Sequence, residues 1–98
     1  MQVLWIRLLL SPLALAVWYM DDGYYSLDKS SFIYLGKVSV LEADVLRNAI
    51  SKNFYIEAKV YDKKQKGFAL YFPVEETRKL HLLLKSFIHP SMQYKLGK

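Results

Sequence analysis

Residues 13–23 read LALAVWYMDDG, an apolar stretch that stops at two acids and a glycine. The run is too short for a membrane span and too apolar for a surface segment, so it reads as a buried helix over residues 12–22. Ser11 suits the N-cap and Pro12 the first helical position, where a missing N–H costs nothing. Gly23 stops the helix, and a carboxylate is left at its C-terminal end in a position to meet a metal.

Outward from this helix the pattern changes. Tyr24-Tyr25 and Phe32 to Val40, separated by Asp28, Lys29, Ser30 and Ser31, read as a hairpin. Ser39 and Glu42 have capping-box spacing, and Val45, Leu46, Ala49 and Ile50 recur at helical intervals to about Lys52. Phe54 to Asp62 alternates, KKQKG at residues 63–67 supplies a turn, and Phe68 to Pro73 alternates again. Glu75 and Glu76 open a third helix with a stripe of Leu80, Leu83, Leu84, Phe87 and Ile88, which ends at His89-Pro90. The expected fold is α+β, of order αββαββα, with a four-stranded antiparallel sheet and its helices on one face. Period-2 alternation turns Ile56, Ala58, Val60, Leu70 and Phe72 towards the helices. It turns Tyr55, Glu57, Lys59, Tyr61 and Tyr71 away from them.

Composition bounds the function. A chain of 98 residues is read as one domain over residues 1–98, which excludes a multi-domain enzyme. The hydrophobic fraction of 53%, with eight Tyr, five Phe and two Trp, excludes a disordered chain. A net charge of +5 favours polyanionic partners. With no Cys, disulfides, thiol catalysis and thiolate-bound zinc are excluded. His81 and His89 stand eight residues apart with no third ligand in view, which argues against a histidine metal site. The N-terminal MQVLWIRLLLSPLALAVWYM also admits a signal peptide or a span. Arg7 interrupts it, the run from Leu8 to Met20 falls short of the roughly 20 residues a span needs, and no basic segment precedes the apolar one. No membrane partner is expected.

The words SPLALAVWYMDDG at residues 11–23, VSVLEADVL at residues 38–46 and PSMQYKL at residues 90–96 resemble the LAGLIDADG homing endonucleases. The resemblance covers most of the chain and is nearest to the C-terminal half of double-motif, intron-encoded members. It implies that two such helices pack side by side and deliver two carboxylates to the floor of a DNA-binding saddle. Asp22 matches the catalytic acid and metal ligand, and Lys95 the lysine near the active site. Leu13, Ala16, Val17, Met20 and Asp21 are expected at the helix pair. Mg²⁺ or another divalent cation is the expected cofactor, and duplex DNA and a second LAGLIDADG half the expected partners. Lys63, Lys64 and Lys66 are expected on phosphates, with Tyr34, Lys37, Tyr55, Glu57, Lys59, Tyr61 and Tyr71 on DNA.

Two departures from the family pattern bear on activity. Val38 stands where many members carry a polar side chain that orders water, and only one motif is present, so cleavage of both strands requires a partner. Self-pairing brings Asp21 against its own copy, which favours a different half. The alternatives from other classes are a splicing helper that binds intron RNA and a degenerate nucleic-acid-binding fragment. Tyr19-Met20-Asp21-Asp22 also spells a reverse-transcriptase metal motif, but that motif sits on a hairpin and 98 residues leave no room for a polymerase. An intracellular setting, in an organelle or a bacterium, is expected.

Overall fold

The computed structural model describes residues 11–97. Helix α1 (Pro12–Asp22) leads directly into β1 (Gly23–Tyr25), then β2 (Ser31–Gly36), α2 (Val40–Phe54), β3 (Lys59–Asp62), β4 (Phe68–Phe72) and α3 (Val74–Leu84). Short 3-10 segments fill Lys64–Lys66 and Pro90–Leu96. The four strands form one antiparallel sheet in the order β1-β2-β4-β3. The α+β fold and the order expected from the sequence are both present.

Each helix begins where its capping chemistry puts it. Ser11 accepts a hydrogen bond from the Ala14 amide at 3.1 Å, with Pro12 in the first turn. At α2 the capping box is complete: the Ser39 hydroxyl accepts from the Glu42 amide at 3.0 Å and the Ser39 amide donates to Glu42 at 3.1 Å. The core lies between the sheet and the helices. Leu15, Trp18 and Tyr19 of α1, Ala43, Leu46 and Ile50 of α2, and Leu80 and Leu84 of α3 cover Ile33, Leu70 and Phe72 of the sheet. Where β2, β4 and α3 meet, two buried hydroxyls satisfy each other: Ser31 and Thr77 stand 2.8 Å apart, and Thr77 donates to the Phe72 carbonyl at 2.9 Å.

Three local expectations are corrected. Helix α2 runs on to Phe54 and ends at Tyr55 in the left-handed conformation, so residues 55–58 are not paired and β3 begins only at Lys59. Ser31 belongs to β2 and not to the turn, and β2 ends at Gly36. Helix α3 stops at Leu84, because a turn follows in which the Phe87 amide bonds the Leu84 carbonyl. The apolar pattern continues regardless: Ile88 returns to the core while Phe87 is exposed.

Candidate functional site

The sheet register sorts the site. Across the face turned away from the helices, one row pairs Tyr24 with Phe32, Phe32 with Tyr71, and Tyr71 with Lys59. The next row pairs Tyr34 with Ala69 and Ala69 with Tyr61. The row between them, Gly23, Ile33, Leu70 and Val60, faces the helices. Ring centroids of Phe32 lie 5.0 Å from Tyr71, 5.6 Å from Tyr61 and 6.3 Å from Tyr24, so the outer face is a continuous aromatic layer.

Asp22 enters this layer from α1. With no loop between α1 and β1, the last helical residue is also the residue beside the sheet edge, and its carboxylate is solvent-exposed. Gly23 makes this junction possible. A Cβ there would fall within the Tyr19 ring and its carbonyl, so only glycine lets the strand leave so close to the helix. Asp22 borders a recess of about 180 Å³ together with Tyr24, Phe32, Tyr34, Tyr61, Lys63 and Ala69. Burial, and then the neighbouring Asp21, hold its carboxyl above the ordinary carboxylate range, while Lys95 pulls it back down.

Lys95 lies at the same helix end. Its Nζ donates to the Met20 carbonyl at 2.5 Å and places a cation at the negative pole of α1. The segment that carries it is held by Tyr19, whose hydroxyl donates to the Lys95 carbonyl at 2.8 Å. That hydroxyl has one proton, already used, so the His81 Nε2, 3.0 Å away, is the donor to Tyr19. A chain of two hydrogen bonds therefore ties α3 to α1 and α1 to the C-terminal segment. Burial keeps His81 neutral, with its pKa depressed to about 4, and raises the Tyr19 hydroxyl well above its usual range.

Of the expected helix-pair residues, Leu13, Val17 and Asp21 follow one another at intervals of four along the exposed side of α1. Leu13 is 55% and Val17 43% exposed, and Met20 is partly buried beside them. Ala16 is a correction: it is fully buried in the core with Leu15 and Tyr19, because the helical period turns it inward.

Of the expected DNA-facing residues, Tyr34, Tyr61, Tyr71 and Lys59 share the outer face, and the exposed tip residues Lys63, Lys64 and Lys66 stand at its end. The Lys63 ammonium sits 5.4 Å from the Tyr34 ring centroid, and the Tyr34 hydroxyl donates to the Lys66 carbonyl. Lys37 is exposed just beyond β2.

Tyr55 and Glu57 are not part of this face. Tyr55 is the C-cap of α2, in a groove with Phe54, Ile56, Lys79, Leu82 and Leu83. The Glu57 carboxylate accepts from Ser51 of α2, and its amide donates to Glu76 of α3 at 2.7 Å. Val38 packs partly buried against the core. Tyr24, Phe32, Ala69, Tyr19 and His81 were not anticipated at the site. The first two carry a readable signal, since they alternate with Tyr34 across the first hairpin. The Tyr19–His81 contact spans 62 residues and leaves no local trace.

Among the described residues no three His, Cys, Asp or Glu side chains gather in a way that could hold a metal ion. Nor is any helix there long and apolar enough to cross a membrane.

Residues 2–80 match the LAGLIDADG DNA endonuclease family. The chain belongs to that family. Among curated relatives of this LAGLIDADG chain, a probable intron-encoded DNA endonuclease 3 of Mycosarcoma maydis is 33% identical, over 89% of this chain and 64% of that protein. The cytochrome b mRNA maturase bI2 of Saccharomyces cerevisiae is 32% identical, over 90% of this chain and 21% of its own length. The intron-encoded endonuclease ai4 of Dictyostelium discoideum is 29% identical, over 94% and 58% respectively. The chain thus spans less than two thirds of each of these relatives. In fold it is similar to the homing endonuclease I-WcaI bound to its DNA recognition sequence, with a TM-score of 0.79 and 24% identity over 88% of this chain and 40% of that one.

Proposed function

We propose that this LAGLIDADG domain is one half of a site-specific DNA endonuclease that lays its aromatic and basic sheet face on duplex DNA. It contributes Asp22 to phosphodiester hydrolysis when a second half lies against α1. The observation that carries this reading is the meeting, at one end of α1, of an exposed carboxylate, a tethered lysine, the aromatic sheet face and the exposed Leu13–Val17–Asp21 stripe.

The residues present fit a divalent cation such as Mg²⁺ as half of a site. Asp22 and Asp21 are hard oxygen donors at the negative end of a helix dipole. The remaining ligands fall to the second half and to the phosphate. Bound there, the cation supplies an activated water and neutralises charge on the attacking and leaving oxygens. Asp22 holds and orients it. Lys95, pinned beside the carboxylate, offsets phosphate charge from the protein side. Lys63, Lys64 and Lys66 contact phosphates and make affinity salt-dependent, while Tyr34, Tyr61, Tyr71 and Lys59 meet base edges.

The reading is tested by incubating the chain, alone and with a second half of the family, with a random-sequence duplex library and Mg²⁺, and recovering cut ends. Sequence-specific ends are expected from the pair alone and vanish with a chelator. Cutting that persists in chelator, or no cutting by any pair, contradicts it.

The partner is a different half and not a second copy. Close packing of two α1 helices sets two Asp21 carboxylates about 6 Å apart, and at an effective dielectric of about 20 they repel by roughly 3 kcal/mol. Replacing Asp21 with Ala is therefore expected to strengthen self-association by about a hundredfold, read as the dimer fraction by light scattering across a concentration series. An unchanged monomer fraction removes Asp21 as the barrier.

The yeast maturase relative favours a second reading, in which the same domain binds intron RNA and assists splicing without cutting. Tight binding of intron RNA by the chain, undiminished in Asp22→Asn and without DNA cleavage, supports it over the nuclease.

A further inference from the structure

Ala69 is 1% exposed, yet it points away from the core, on the aromatic side of β4. It is hidden by its neighbours on that face. Its register partners are Tyr34 on one side and Tyr61 on the other, and a single methyl between two phenol rings leaves a dent in an otherwise filled layer. Phe32 and Tyr24 close a further wall, and the result is the recess of about 180 Å³ beside Asp22.

We propose that this recess receives one unstacked nucleobase of the bound DNA. The walls are aromatic, and the charged groups, Asp22 and Lys63, stand among its lining residues without a matching partner for an inorganic ion. Phosphate is disfavoured: Asp22 repels it, and the Tyr34 hydroxyl already donates to the Lys66 carbonyl. A thymine methyl alone would leave most of the volume empty. A planar heterocycle fills it, offers a π-face to the tyrosines and presents N–H groups that the Asp22 carboxylate accepts.

The recess is also pre-shaped. Lys63 stacks on Tyr34 while Lys66 holds its hydroxyl, and Phe32 meets Tyr61 edge-on at 76°, so little ordering remains for binding. A base reaches the floor only by leaving the stack. Unstacking costs least for a base that is already unpaired, so the recess favours a bulged or mismatched nucleotide over a paired one. It thereby selects DNA that is opened beside the acid that cuts it.

The inference rests on the reading that nucleic acid lies on this face, and its test separates the two. Three probes are titrated against the whole chain: a duplex with one central bulged thymidine, the same duplex fully paired, and an oligothymidine strand. A 5-iodouracil version of the bulged base, irradiated in the near ultraviolet, reports which aromatic residue it stacks on.

The expected result is about tenfold tighter binding of the bulged duplex than of the paired one, with crosslinks at Tyr34 or Tyr61. Ala69→Leu, which fills the dent, and Tyr61→Ala, which removes a wall, should each bring that ratio near one; circular dichroism establishes that each variant is folded. Equal affinity for bulged and paired duplexes, or crosslinks away from these tyrosines, overturns the recess and leaves the DNA surface standing. Binding of the bulged duplex and single strand but not the paired duplex upholds the recess and removes the duplex reading. Binding of none of the three removes both.

Discussion

Replacing Asp22 with Asn, in the assembly proposed above, lowers cleavage of the strand it serves by about a thousandfold or more. Duplex affinity stays equal or rises, because a negative charge facing phosphate is lost. The fold becomes more stable at neutral pH, and the sign follows from the raised carboxyl pKa. In the folded chain Asp22 binds its proton more readily than in the unfolded chain, so ionisation at neutral pH weighs against folding. Asn removes that penalty. A single-turnover cleavage assay and a thermal melt on the same variant check both halves. Loss of cleavage together with a lower melting temperature would instead mark Asp22 as a residue that maintains the fold.

Acidification from about pH 6.5 to about pH 4 destabilises the domain by about 1–2 kcal/mol through His81, once its partial exposure is allowed for. For a domain of this size that is about 5–10 °C of melting temperature. The folded chain keeps this imidazole neutral, with its pKa depressed to about 4 among Tyr19, Tyr25 and the α3 core, whereas the unfolded chain takes up a proton near 6.5. The unfolded state binds more protons throughout that window, so the stabilising contribution is complete above it and lost as pH falls. Asp22 acts with the opposite sign within the carboxylate range. His81→Gln, which retains a donor for Tyr19 without titrating, should flatten the dependence between pH 6.5 and 4. A wild-type slope in that variant assigns the effect to other groups.

The parts of the fold legible in the sequence are those fixed by local chemistry. Ser11-Pro12 and the Ser39–Glu42 box start their helices because the capping side chains lie within three residues of the amides they satisfy. The sheet faces were legible because period 2 leaves little choice once Leu70 and Phe72 are placed inside. The exposed side of α1 was not. From Pro12 to Met20 every residue is apolar, so nothing marked the outer stripe, and Ala16 was assigned to the wrong face. Tyr55 and Glu57 were misplaced for a related reason: the alternating pattern starts before the strand does, while the chain is still leaving α2 through a left-handed residue.

At the site, the position of Asp22 followed from its motif and that of Lys95 from its tail word. The structure adds how the two are joined. Lys95 reaches the end of α1 only because Tyr19 and His81 hold its segment there, an arrangement built from residues 62 and 76 positions apart. The recess was hidden because it depends on Ala69, a residue with no chemistry of its own, lying between two tyrosines on different strands.

The central claim is that Asp22 holds a divalent cation at the end of α1, and paramagnetic broadening by Mn²⁺ in amide NMR spectra of the chain tests it most directly. The account predicts broadening centred on Asp21, Asp22, Gly23 and Tyr24 that disappears in Asp22→Asn. Broadening centred elsewhere, or unchanged by that substitution, would contradict it.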